Sequence, residues 1–297
     1  MNRFTISQLE QFSGIRSHTI RIWEQRYNAL TPQRTEGNVR FYDDSQLRRL
    51  LNIVSLMDSG FKVGELCLMT DTELFNILKA KTGTSIHVTE SNRYFINQLI
   101  SAGMAYNELH FEKILASCIL KMGLRDAYIN VIYPMLIQVG LLWACDSLPP
   151  AQEHFITNII RQKLFTAIDG LPPPEKNAKS WLLFLPENEF HETGLLMSNY
   201  LLKQAGYKVT YLGSNVPLDT LKSAAGDISP TFLMFFMVNN TTAENAQEYL
   251  NELKSSFGKT LIFLSGKQSL LGELKTGQRV HTISSVQELE RLIHNEC

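Results

Sequence analysis

His191 follows Glu189 by two residues and precedes Gly194 by three, just beyond the apolar run of residues 181–185. An imidazole in such a loop is a metal ligand or an acid–base group. A carboxylate two residues upstream can accept the Nδ1 proton, which leaves Nε2 to bind a metal and makes it more basic. A glycine at the start of a helix lets a bulky ligand approach the backbone. Taken alone, these residues also fit a solvated loop histidine. A second pair, Glu153 and His154, follows Trp143 after nine residues. It fits a core tryptophan beside a helix cap as well as a covered polar site. A third group is basic. The first fifty residues hold eight arginines (Arg3, Arg16, Arg21, Arg26, Arg34, Arg40, Arg48 and Arg49) against five acidic residues, a modest excess pointing toward nucleic acid.

The elements that must position these groups can be read from patterning. Residues 181–185 suit a strand buried on both faces of a parallel sheet. A helical pattern with Leu195, Leu196, Leu201 and Leu202 follows, Gly206 stops it, and residues 207–213 read as the next strand. Ligands of such βαβ units bind at the C-terminal ends of the strands, where Glu189 and His191 fall. Further strands are expected at 231–238, 260–265 and near 279, alternating with helices, which predicts a flavodoxin-like doubly wound parallel sheet. Residues 92–170 are helical almost throughout, with four candidate helices (92–104, 108–122, 125–145 and 151–169) and Pro134 inside the third. They predict a four-helix bundle with a proline kink.

At the N-terminus, Thr5 and Gln8 have capping-box spacing, Gly14 lies in a tight turn, and Ile20, Trp23 and Tyr27 form the buried stripe of a second helix. A small hairpin and a long helix capped at Asp44 follow, with Leu47, Leu50, Leu51, Val54 and Met57 on one side. The expected boundaries are a winged helix-turn-helix domain over 1–81, a linker over 82–91, the bundle over 92–170, a proline-rich linker over 171–180, and the α/β domain over 181–297. At 297 residues, with 19% charged and 44% hydrophobic, the chain has the composition of an ordinary globular protein of two or three domains. No apolar run approaches the ~20 residues of a membrane span, and no signal-peptide core is present, so a cytoplasmic protein without a membrane partner is expected. Cys67, Cys118, Cys145 and Cys297 form no CxxC pair, which argues for reduced thiols and against a zinc site.

Residues 3–69 closely resemble the winged-helix DNA-binding domain of MerR-type regulators. The resemblance makes residues 19–24 the recognition helix and implies DNA contacts from His18, Thr19, Arg21, Arg26, Arg34, Arg40 and Tyr42, with Arg40 and Tyr42 on the phosphate backbone. The long dimerisation helix that usually follows is missing. The Glu189-x-His191-x-x-Gly194 motif resembles cobalamin-binding domains, where the histidine is the lower axial ligand of cobalt and the tail nucleotide threads beside the glycine. The Trp143, Glu153, His154 spacing is similar to the cap of the cobalamin-dependent, light-responsive branch of MerR regulators, where the tryptophan covers the upper axial group and the Glu-His pair contacts it. Ser265 and Gly266 complete the cofactor-binding set that the resemblance implies.

Four departures accompany it: Glu189 for a common aspartate, Met237-Val238-Asn239-Asn240 where a serine is usual, one glycine (Gly266) where two are usual, and Ala144 where light-sensing relatives have histidine. The implied function is a non-enzymatic transcriptional repressor whose self-association (dimer or tetramer) and DNA affinity depend on cobalamin, adenosylcobalamin above all, and on light. The alternatives are a regulator whose sensor answers to another ligand or a protein, and a corrinoid methyl-carrier protein.

Overall fold

The computed structural model describes residues 3–35, 37–58, 60–83, 92–144, 150–238 and 241–295. The chain divides into two compact units, Met1–Ile159 and Ile160–Cys297.

The first unit begins with α1 (Ile6–Ser13) and α2 (Ser17–Tyr27). Both halves of the expected capping box form: the Thr5 hydroxyl accepts the Gln8 N–H at 3.3 Å, and the Gln8 side chain accepts the Thr5 N–H at 2.7 Å. Gly14 ends α1 with φ +67°, the left-handed conformation that makes glycine the natural residue in this turn. Two short strands, β1 (Gln33–Arg34) and β2 (Arg40–Phe41), pair antiparallel as the wing. Then come α3 (Asp44–Asp58), α4 (Val63–Leu68) and α5 (Asp71–Gly83). Asp43, rather than Asp44, caps α3, with Oδ1 accepting the Gln46 N–H at 3.0 Å. Phe4, Leu9, Ile20, Tyr42, Leu47, Leu50 and Leu51 close the core of this region.

The helical bundle consists of α6 (Asn92–Met104), α7 (Glu108–Ala127), α8 (Tyr133–Ala144) and α9 (Pro150–Asp169). Gly123, at φ +80° and ψ 160°, breaks α7 internally, so the rod that begins after it continues through a π-helical turn, Tyr128–Ile132, into α8. That turn ends two residues before Pro134, which has no N–H to give the preceding helix. The expected third helix is therefore a composite of two helical pieces around one π turn. Helices α6 and α9 pack closely: a Cβ on Gly103 would stand 2.5 Å from Ile156.

The second unit is an α/β layer fold. Its elements are β3 (Ser180–Pro186), α10 (Thr193–Gln204), β4 (Lys208–Val216), α11 (Leu218–Ile228), β5 (Phe232–Met237), α12 (Ala243–Ser256), β6 (Leu261–Gly266), α13 (Gln268–Leu271), β7 (Val280–Ile283) and α14 (Val286–Asn295). All five strands are parallel, in the order β4-β3-β5-β6-β7. This is the flavodoxin-like order. Its switch point lies between β3 and β5, where the chain winds away in opposite directions and opens a crevice. Both faces of the sheet are covered, which explains the unbroken apolar runs of β3 and β5.

Candidate functional site

The loop after β3 is tied down before it reaches His191. The Glu189 N–H returns to the Pro186 carbonyl at 3.0 Å, and the Asn215 N–H at the end of β4 donates to the Glu189 carbonyl at 3.2 Å. This turns the Glu189 side chain inward, where it is 3% exposed. Oε1 accepts the Phe190 N–H at 3.0 Å, the His191 N–H at 3.1 Å and His191 Nδ1 at 2.6 Å. Oε2 accepts the Val238 N–H at 2.7 Å. Val238 directly follows β5, so the carboxylate bridges the switch point. Because a carboxylate only accepts, a proton sits on Nδ1, and it is the neutral form of such a ring that carries its lone pair at Nε2. The His191 side chain is 54% exposed against 4% for Glu189.

Val238, one of the residues standing where a serine is usual, enters this network through its backbone amide alone. On the other side of the motif, a Cβ on Gly194 would stand 2.8 Å from the Phe236 ring, and one on Gly266 would collide with the Met237 carbonyl oxygen. Both glycines are required by close packing. Ser265, expected at the cofactor, donates its hydroxyl to the Ile283 carbonyl at 2.8 Å and so is committed to β7. Asn239 and Asn240 lie outside the described residues.

One cluster had no sequence signal. Glu192, next to His191, is 6% exposed. It lies 2.5 Å from Arg161 of α9 and accepts the Tyr211 hydroxyl of β4 at 2.7 Å. These three residues are widely separated in the chain and share no periodicity, so only the fold brings them together.

In the bundle, His154 and Glu153 meet each other at the start of α9, Nδ1 to Oε2 at 2.9 Å, with the histidine side chain 72% exposed. Trp143 lies in the last turn of α8, and its side chain is outside the described residues. Elsewhere, His110 is buried against Phe75 and Gln98, His281 stacks on Phe263, and His294 is exposed.

The basic face of the first unit is held by α2 and the wing. His18, Arg21, Gln25 and Arg26 are exposed while Ile20 and Trp23 are buried, and Thr19 lies partly exposed between them. This is the sidedness that a helix presented to a groove needs. Arg34, exposed at the wing, donates to Asn38 Oδ1 at 2.6 Å. Arg40 pairs with Glu24 at 3.6 Å. Tyr42 departs from expectation: it is fully buried, bridged to Phe4, and its hydroxyl donates to Glu24. Burial, then the Glu24 carboxylate, pushes its hydroxyl pKa far above the usual tyrosine value. Tyr42 therefore braces Glu24 and, through it, Arg40, and does not itself reach the surface.

Comparison with known proteins matches two segments to family models and most of the chain to relatives. Residues 4–71 match the MerR HTH family regulatory protein model, and residues 95–167 match the B12 binding domain model. The chain is 27% identical over 294 residues to the HTH-type transcriptional repressor CarH of Myxococcus xanthus, covering 97% of each. It is 26% identical over 249 residues to the repressor CarA of the same organism, covering 83% of this chain and 81% of CarA. Among solved structures, the monomethylamine corrinoid protein of Methanosarcina barkeri matches with a TM-score of 0.56 at 14% identity, over 70% of this chain and all of that one, a likeness of fold. No helix among the described residues is long and apolar enough to cross a membrane. The chain thus joins a MerR-type helix-turn-helix domain to a B12-binding-type helical domain and an α/β sheet, and it is homologous along nearly its whole length to the CarH repressor.

Proposed function

We propose that this protein is a transcriptional repressor whose hold on DNA is set by cobalamin bound at His191. The observation that carries the reading is the Glu189–His191 pair, with Nδ1 engaged at 2.6 Å and the ring half-exposed at the C-terminal end of the sheet. Among the described residues, no three His, Cys, Asp or Glu side chains converge as a metal-binding group. Burial pushes the Cys118 thiol up to about 12, so it offers no thiolate. One oriented imidazole is too few for a protein-built metal cage. It suits a metal whose other positions are filled by its own macrocycle.

Bound cobalamin would supply a cobalt centre able to exchange a ligand. His191 would hold the metal with Glu189 fixing its ring, Gly194 and Gly266 would let the group approach the backbone, and Trp143, Glu153 and His154 would be further contacts to it. The Phe236 ring against Gly194 narrows the side assigned to the nucleotide tail. That contact favours the second reading, a sensor answering to a different ligand, in this one respect.

The test is the visible spectrum of the purified protein after dark incubation with adenosylcobalamin and desalting. Retained colour is expected, with the bands of His191→Ala shifted toward the base-off or water-ligated form and its binding weakened roughly 10–100-fold. A wild-type protein that stays colourless contradicts the proposal.

A further inference from the structure

The loop that carries His191 is anchored on two sides. The Glu189 network holds the ring and the residues before it. On the far side stands Glu192, the N-cap residue of α10, whose side chain makes no capping hydrogen bond. Its carboxylate is turned away from solvent, a costly place for a charge without partners, and it has two. Oε2 lies 2.5 Å from Nη2 of Arg161, and Oε1 accepts the Tyr211 hydroxyl at 2.7 Å. Burial first, then the hydrogen bond and charge of Glu192, hold the Tyr211 pKa far above the usual tyrosine value, so Tyr211 stays a donor across the working pH range.

The sheet is shaped to receive this carboxylate. The β3–β4 register runs Leu183 with Tyr211 and then Phe184 with Gly213, which leaves Leu212 bulged out of the ladder. Gly213 takes φ +80°, and a Cβ there would stand 3.3 Å from Glu192 Oε1. Bulge and glycine together let the edge strand approach Glu192. Arg161 comes from α9, the helix that carries Glu153 and His154 two turns earlier.

We propose that Arg161, Glu192 and Tyr211 form a positioning clamp that sets the backbone beneath His191 and thereby the height and tilt of its ring. The two carboxylates divide the work: Glu189 fixes rotation of the imidazole, and Glu192, one peptide further on, fixes the chain from which it projects. Helix α9 is thereby linked to the His191 loop, and a shift of Arg161 along its helix is felt at the imidazole. As a claim about what the clamp does for a cobalt ligand, this rests on the function proposed above. As a claim about the loop, it stands on the ligand-free chain.

The experiment uses full-length Arg161→Ala, Arg161→Lys and Tyr211→Phe. Hydrogen exchange followed by mass spectrometry on ligand-free protein compares peptides over 187–196 with peptides from β3 and β5. Loss of a charge-assisted contact predicts exchange over 187–196 faster by about tenfold or more in Arg161→Ala, with smaller increases in the other two and no change in the strands. Adenosylcobalamin affinity is expected to fall by roughly 10–100-fold in Arg161→Ala, with a larger base-off fraction and partial recovery in Arg161→Lys. Unchanged exchange over 187–196, or an increase spread equally through the sheet, overturns the clamp. If Arg161→Ala does not fold, Tyr211→Phe, which removes one hydroxyl, decides by the same criterion. If the wild-type protein binds no cobalamin, the proposed function fails while the exchange comparison still decides the clamp.

Discussion

What separates a ligand histidine from a solvated one is the fate of its other nitrogen, and at His191 that nitrogen is held by a buried carboxylate. The pairing was legible in the sequence because its two partners sit two residues apart in one loop. The rest of the network was not. The Val238 amide that holds Glu189 Oε2 arrives from 49 residues further along the chain, and a backbone group has no residue type to signal it. The phosphate contact that the family resemblance implies for Tyr42 was not open to such a reading, because the residue points into the core. Phe236 offers a test at this scale. Its ring fills the space beside Gly194, so Phe236→Ala should open that side and tighten binding of a cobalamin with a bulky nucleotide tail. The cost is a cavity at a half-buried site, at most the ~3–5 kcal/mol of a core phenylalanine truncation. Isothermal titration of wild type and variant checks it, and equal or weaker binding by Phe236→Ala would mean the tail does not enter there.

Element boundaries followed from local chemistry wherever a cap or a left-handed residue was present. The capping box at Thr5, Gly14 and Gly206 all fall where the sequence put them. The third rod of the bundle was harder to read. Its break at Gly123 and its π turn before Pro134 are backbone accommodations that hydrophobic periodicity does not report. The α2 helix and the wing carry the DNA prediction. Arg21 is exposed on the helix and aimed away from its buried stripe, whereas Arg40 sits on the wing beside Glu24. Arg40→Ala should weaken binding on all duplexes alike and lower the salt slope by about one contact. Arg21→Ala should flatten sequence preference, at about 1–3 kcal/mol for the base it reads. Salt titrations on a cognate and a scrambled duplex distinguish the two, and wild-type behaviour in both variants would remove α2 and the wing from the interface.

For the whole molecule, the flavodoxin-like strand order was legible because a parallel sheet needs crossover helices, and these alternate with apolar runs in the sequence. Self-association is not encoded in any such pattern. A single winged helix grips one half-site, and linking heads raises apparent affinity by avidity. Cofactor-dependent self-association is therefore expected to accompany DNA binding. Light scattering on ligand-free, dark-loaded and illuminated samples should give a larger mass on loading. Illumination should reverse it only if cleavage of the cobalt–carbon bond is sensed without the histidine that Ala144 replaces. One mass in all three samples would exclude a switch by assembly.

The most direct measurement joins both ends of the chain: affinity for a duplex that the protein itself selects from a random pool, measured in the dark with and without saturating adenosylcobalamin. The account predicts binding at least about tenfold tighter with the cofactor, equivalent to about 1.4 kcal/mol of coupling, and loss of that difference in His191→Ala with the ligand-free affinity retained. Equal affinity with and without cobalamin in the wild-type protein would contradict it.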